Sequence, residues 1–226
     1  MIKLENVVLP SPKQMAFIIE GMRNPINSWG KSDSHICRQD GSFCMECEHK
    51  NGYCLGGNDH SLMQRLSKVS NVHRKFMRMM SVYVKITAPM YWWEAFNICL
   101  DANNVDTVAI PCRISDKFSE REFTLEDFST EHLSYPSLKN LKNIIKCLND
   151  YRQEYLKDKE KHNWWQMVQL LPKSYNQTCN VMLNYEVLKN IYRQQDSYLI
   201  DEWKDFCNWI KELPYSDLIT GENNKF

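Results

Sequence analysis

A chain of 226 residues suits one large domain, or one domain carrying an insertion. Apolar residues make up 43%, aromatics 12% and charged residues 25%, the balance of a globular protein with a substantial core. Lys and Arg total 28, as do Asp and Glu, and this zero net charge argues against long-range steering towards duplex nucleic acid or an anionic membrane.

Residues Ile2 to Leu9 alternate apolar and polar and predict a first strand. Ser11-Pro12 opens a short helix over Lys13 to Met22, with Met15, Ile18 and Ile19 on its buried side. Gly21 to Ser34 is a polar loop whose Asn, Ser and Asp side chains bond their own backbone in turns. A cysteine-rich segment, Cys37 to Cys54, follows; Gly56-Gly57-Asn58-Asp59 closes it and caps a helix running to Val69. Val82 to Thr87 predicts a strand broken by Ala88-Pro89, and Met90 to Leu100 an aromatic helix bearing Tyr91, Trp92, Trp93 and Phe96. Val105 to Ile110 is a second short strand. Ser137 to Lys161 carries the clearest helical period, with Leu138, Leu141, Ile145 and Leu148 on one face. His162 to Leu171 is a helix stopped by Pro172, Gln177 to Leu183 a strand, and Tyr185 to Gln195 a helix. A last amphipathic helix spans Leu199 to Leu213, with Trp203, Phe206, Trp209 and Ile210 as its apolar stripe.

Met1 to Pro10 is too short an apolar stretch for a signal peptide, and no apolar run approaches bilayer length. Nine cysteines without a secretion signal imply a reducing compartment, so the expected location is the cytoplasm. Asn176-Gln177-Thr178, formally a glycosylation sequon, is then silent.

Cys37, Cys44, Cys47 and Cys54 share one loop, and Cys44-x-x-Cys47 is a knuckle whose two thiolates reach a single ion. Structural zinc is the natural guest of four sulfurs, with His35 and His49 as substitute ligands. Unpaired loop thiols, or a redox pair at Cys44 and Cys47, are the alternatives. His73-Arg74-Lys75 with Arg78 forms a basic cluster, read either as an anion site or as a solvated helix face. Trp92-Trp93 and Trp164-Trp165 fit a planar ligand or, more commonly, a core. Neither a phosphate loop nor a dinucleotide glycine fingerprint occurs.

Several blocks taken together carry a resemblance. They are Gly21-Met22-Arg23-Asn24-Pro25, Asn27-Ser28-Trp29, Lys31-Ser32-Asp33-Ser34, His73-Arg74-Lys75-Phe76 and Ile86-Thr87-Ala88-Pro89-Met90-Tyr91-Trp92-Trp93. Leu171-Pro172-Lys173-Ser174-Tyr175, Asn184-Tyr185-Glu186-Val187-Leu188 and Leu213-Pro214-Tyr215 complete the set. Over nearly its whole length the chain resembles a group of phage and phage-like bacterial proteins, themselves similar to the flavin-dependent thymidylate synthases. The resemblance implies a single α+β domain with a twisted, mainly antiparallel sheet flanked by helices, and a Cys-rich insertion at about 35–57. It also implies a homo-oligomer, FAD as cofactor and a pyrimidine nucleotide, dUMP, as ligand.

Aligning Pro89 with the family's proline puts Ile98, Cys99 and Leu100 where the family carries Arg-His-Arg, and these three cannot donate charged bonds. In the second family block Asn184 and Asn190 match, Glu186 stands in place of an Arg, Gln195 in place of the nucleotide-binding Arg, and Arg193 lies two residues away. The binding residues the resemblance implies are therefore Asn184, Asn190 and Arg193, with Arg74 and Arg78 as phosphate ligands. Two readings stay open: a flavin- or nucleotide-binding enzyme, and a non-catalytic phage protein that uses the scaffold to bind a host protein, a nucleotide signal or nucleic acid.

Overall fold

The computed structural model describes residues 2–37, 52–70, 72–102, 108–111, 121–194 and 199–221. The chain is α+β, with antiparallel pairing. Strands β1 (Lys3–Val8), β4 (Ser81–Pro89), β6 (Asn176–Asn184) and β5 (Val108–Pro111) form a four-stranded sheet in the order β1-β4-β6-β5. Strands β2 (His35–Ile36) and β3 (Tyr53–Cys54) form a separate antiparallel pair, with His35 opposite Cys54. The chain falls into two compact units: residues 1–4, 85–98 and 109–180 in the first, and residues 5–84, 99–108 and 181–226 in the second.

The first unit is organised by two helices, α5 (Tyr135–Asp158) and α6 (Lys161–Leu170). Leu141, Ile145, Leu148 and Tyr155 are buried along one face of α5 and pack with Phe123, Phe128 and Met167. Leu138, expected on that face, is half-buried. Asn149 pairs with the backbone of Phe123 through both ends of its carboxamide, at 2.8 and 2.9 Å, tying the segment before the helix to it. Tyr175 sets its ring edge-on to Phe123 and Phe128. Trp92 and Trp93, on helix α4 (Met90–Ala102), are buried, and Trp92 stacks on Phe96 at 4.8 Å. This tryptophan pair is core, whereas Trp165 is exposed. The Thr178 hydroxyl of the sequon meets that of Thr87 at 2.8 Å within the sheet.

The second unit carries α1 (Pro12–Arg23), α2 (Gly57–Lys68), α3 (Phe76–Met79), α7 (Tyr185–Arg193), α8 (Asp201–Glu212) and α9 (Asp217–Thr220). Helix α1 starts where a Ser11 and Gln14 capping box satisfies its first amides and Pro12 presets the backbone. Met15, Ile18, Ile19 and Met22 form its buried stripe. Strand β4 buries Val82 and Val84, and β6 buries Val181 and Leu183, the period-2 pattern of a sheet face. On α8, Trp203, Phe206 and Ile210 are buried and Trp209 stacks on Phe206 at 5.4 Å.

Three departures from the expected elements have local causes. The loop expected from Gly21 begins later, because α1 continues to Arg23 and then tightens into single 3-10 turns at Asn24–Ile26 and Trp29–Lys31. The basic cluster contains a one-turn helix, α3, too short to show a period in sequence. Beyond Pro214 the chain adds α9, closed by Gly221 at φ 77°. Strand β5 (Val108–Pro111) covers the end of the predicted strand Val105 to Ile110, whose residues 105–107 lie outside the described ones.

Candidate functional site

The second unit is held by buried polar side chains that meet across long sequence separations. Arg23 ends α1 inside the protein, and its Nε donates to Asp59 Oδ1 at 2.5 Å. Its two terminal nitrogens donate to Ser28 O, Ser28 Oγ and Lys31 O at 3.1 to 3.2 Å, so the loop wraps around one guanidinium. Asp59 Oδ2 accepts from the Ser32 and Ser34 hydroxyls at 2.7 Å and from the Asp33 and Ser34 amides at 3.1 Å. Burial alone would raise the Asp59 carboxyl, but the serine bonds and Arg23 outweigh it and hold it below the usual aspartate range.

Asp33 in turn caps α2 by accepting from the Asn58 and Asp59 amides at 2.9 and 3.1 Å. That requires Gly56: a Cβ there would lie 2.1 Å from Asp33 Cγ and 2.6 Å from its backbone carbon. The Gly21-to-Pro25, Asn27-to-Trp29 and Lys31-to-Ser34 blocks are thus explained by architecture.

A second buried set surrounds α9. Asp217 Oδ2 meets His60 Nε2 at 2.9 Å and accepts from Gln64 Nε2 at 2.8 Å. Lys189 is buried on α7, with Nζ donating at 3.0 Å to both Ser67 O and Leu218 O. Burial, and then the positive charges of Arg193, Arg74 and Lys68, push its ammonium down to about 8. Tyr185 donates from its hydroxyl to Pro214 O, which accounts for the Leu213-Pro214-Tyr215 block.

Helix α7 and its N-cap carry three of the predicted binding residues, Asn184, Asn190 and Arg193. Asn184 is its N-cap, with the carboxamide oxygen accepting from the Glu186 and Val187 amides at 3.1 and 3.0 Å. The Tyr185 amide donates to Met80 O at 3.1 Å, which sets the start of α7 beside the end of α3. There Glu186, 5% exposed, accepts from Arg74 Nε at 2.9 Å through one carboxylate oxygen and from Arg78 Nε through the other. Burial would raise this carboxyl as well, but the bonds and charges of Arg78 and Arg74 hold it below the ordinary glutamate range. The Arg74 side chain is mostly buried, that of Arg78 half-exposed. Asn190 is half-buried further along α7, and Arg193 is exposed in its last turn. Of the five residues singled out from sequence, Arg74 and Arg78 thus meet at Glu186 beside the Asn184 cap, while Asn190 and Arg193 lie further along the same helix; Glu186 is a partner that sequence marked only as a replacement.

The positions aligned with the family's Arg-His-Arg offer no cation. Ile98 is 65% exposed, Cys99 is buried and donates to Gln194 Oε1 at 3.3 Å, and Leu100 is buried. Gln195 lies outside the described residues. Among the thiols, Cys44 and Cys47 also lie outside them; Cys37 is half-buried and Cys54 buried beside the β2–β3 pair, where the Cys37 amide donates to Gly52 O at 2.9 Å. Among the described residues no group of three or more His, Cys, Asp or Glu is placed to hold a metal ion.

The sequence matches no protein-family model and no curated protein. Solved structures do match. Thymidylate synthase ThyX from Helicobacter pylori, with FAD and dUMP, superposes with a TM-score of 0.60 at 13% identity, over 98% of this chain and 97% of that one. The UMP/dUMP methylase PolB from Streptomyces cacaoi, bound with 5-Br UMP, gives 0.58 at 12% identity, over 98% and 94%. The chain therefore has the fold of the flavin-dependent thymidylate synthases, in strongly diverged sequence.

Proposed function

We propose that this chain is a cytoplasmic, phage-derived protein, a single synthase-like domain with a Cys-rich insertion at about 35–57, that binds a flavin or a pyrimidine nucleotide. Asn184, Asn190 and Arg193 on α7 meet the ligand, and Arg74 and Arg78 border them. The observation that carries this reading is the convergence at α7: Arg74 and Arg78 reach Glu186 from 112 and 108 residues away, beside a helix that also bears Asn184 and Arg193. The similar structures add support, since those proteins were solved with FAD, dUMP or a brominated UMP. The chain assembles as a homo-oligomer in this reading.

The test is direct. Purified protein should be yellow, with a flavin absorption band bleached by dithionite and perturbed by dUMP. Colourless protein whose melting temperature is indifferent to FAD, dUMP and UMP would end it.

A second reading rests on a specific observation: Ile98, Cys99 and Leu100 place no cation where the synthase pattern has Arg-His-Arg. On that reading the chain is a non-catalytic interaction protein that binds a host protein through a loop stapled by zinc at Cys37, Cys44, Cys47 and Cys54. Elemental analysis decides the metal: about one zinc per chain, lost in Cys44→Ser/Cys47→Ser, supports it. Equal, negligible zinc in both proteins removes it.

A further inference from the structure

Three features of the second unit ordinarily attract a phosphate: the exposed amides of a helix N-terminus, a pair of arginines, and a positive field. At the start of α7 two of the three are already answered by the chain itself. Asn184 Oδ1 accepts from the amides of Glu186 and Val187. The carboxylate of Glu186 takes one Nε bond from Arg74 and one from Arg78, one on each oxygen. Glu186 also lies in the first turn of α7, where a negative charge suits the helix dipole. A phosphomonoester approaching this pair meets a buried carboxylate, and like charges in such a place repel strongly. Displacing Glu186 would leave it buried without its partners, a costly state.

We infer that Glu186, bridging Arg74 and Arg78 beside the Asn184-capped start of α7, is a specificity-determining residue that excludes phosphate from this pair, so that a pyrimidine ligand is held by its base and sugar. The inference rests on the proposed reading and deepens it by naming which part of the nucleotide is recognised. Charge supports the chemistry: a bridging carboxylate already supplies the two arginines with a counter-ion, so a dianion gains little there, while uncharged ring and sugar groups pay no such penalty. The one remaining cation of the proposed set, Arg193, stands seven residues along α7, about 10 Å away at the helical rise.

Calorimetric titration of the full-length protein with deoxyuridine, dUMP and inorganic phosphate tests this. Wild type should bind dUMP and deoxyuridine within about threefold of each other, and phosphate not measurably. In Glu186→Gln the preference for dUMP over deoxyuridine should rise roughly tenfold or more, the scale of one charge-assisted bond gained, with phosphate binding appearing alongside. Wild-type dUMP binding tenfold tighter than deoxyuridine overturns the inference, as does a folded Glu186→Gln protein with an unchanged preference and no phosphate binding. If neither pyrimidine binds either protein, the proposed function fails, and the phosphate arm alone decides: phosphate held by Glu186→Gln and refused by wild type upholds the role of Glu186. If Glu186→Gln melts before titration, Glu186→Ala replaces it; should that also melt, the wild-type titrations decide, with phosphate binding counting against the inference and its absence for it.

Discussion

Asp59 illustrates how much of this protein's stability rests on single polar groups. It is fully buried, receives the Nε of Arg23, and accepts four further bonds from the Ser32 to Ser34 segment. Replacing it leaves the Arg23 guanidinium buried without its carboxylate. Asp59→Ala should therefore lose about 3 to 5 kcal/mol, read as a lowered midpoint in urea denaturation. The same carboxylates set the acid limit of the fold. Asp59, Asp217 and Glu186 all have lowered carboxyls in the folded state. Each bears a proton more readily in the unfolded chain, so its stabilisation is full above about pH 5 and fades as pH falls from about 4 through the folded value. The melting temperature should fall steeply below about pH 4, and less steeply in Glu186→Gln than in wild type.

At the scale of elements, legibility followed the range of the interaction. Helix α5 was readable because Leu141, Ile145 and Leu148 repeat at helical spacing and all three are buried, and β4 because Val82, Val84 and Ile86 alternate. Helix α7 was readable too, but not what it gathers. Nothing near Arg74 in sequence announces Glu186, nor does anything near His60 announce Asp217, 157 residues later. A solvated face and a buried ion cluster look alike as a run of His, Arg and Lys; only the fold distinguishes them. Helix α3 and the β2–β3 pair were missed because one turn, or two residues, carries no period. The capping of α7 provides a test at this scale. Asn184 answers two first-turn amides at once, and the helix it starts positions Glu186. Asn184→Ala should cost about 1 to 2 kcal/mol in equilibrium unfolding. Asn184→Asp, which keeps the acceptor, should recover most of that loss.

At the scale of the whole molecule, identity near 13% leaves the fold intact. A fold survives such drift because it depends on which positions are buried rather than on which apolar residue fills them. Strand β1 raises a different question. It lies at one end of the sheet order, and its burial pattern is nearly all exposed, with Val8 at 57%. An edge strand with exposed valines is a template for pairing, and β1 blunts only its first half, with Lys3, Glu5 and a left-handed Asn6 at φ 53°, leaving Val7 and Val8 beyond them. Covering it with a second copy of the chain meets the same need and agrees with the proposed homo-oligomer. Light scattering on the purified protein should give an integer multiple, two or more, of the chain mass. Val8→Lys, which puts a charge on the edge, should shift that mass towards one chain while leaving the melting temperature within a few degrees. A wild-type protein that runs as a single chain at tens of micromolar would show that the edge stays unpaired and that the proposed binding residues of α7 act without a partner subunit.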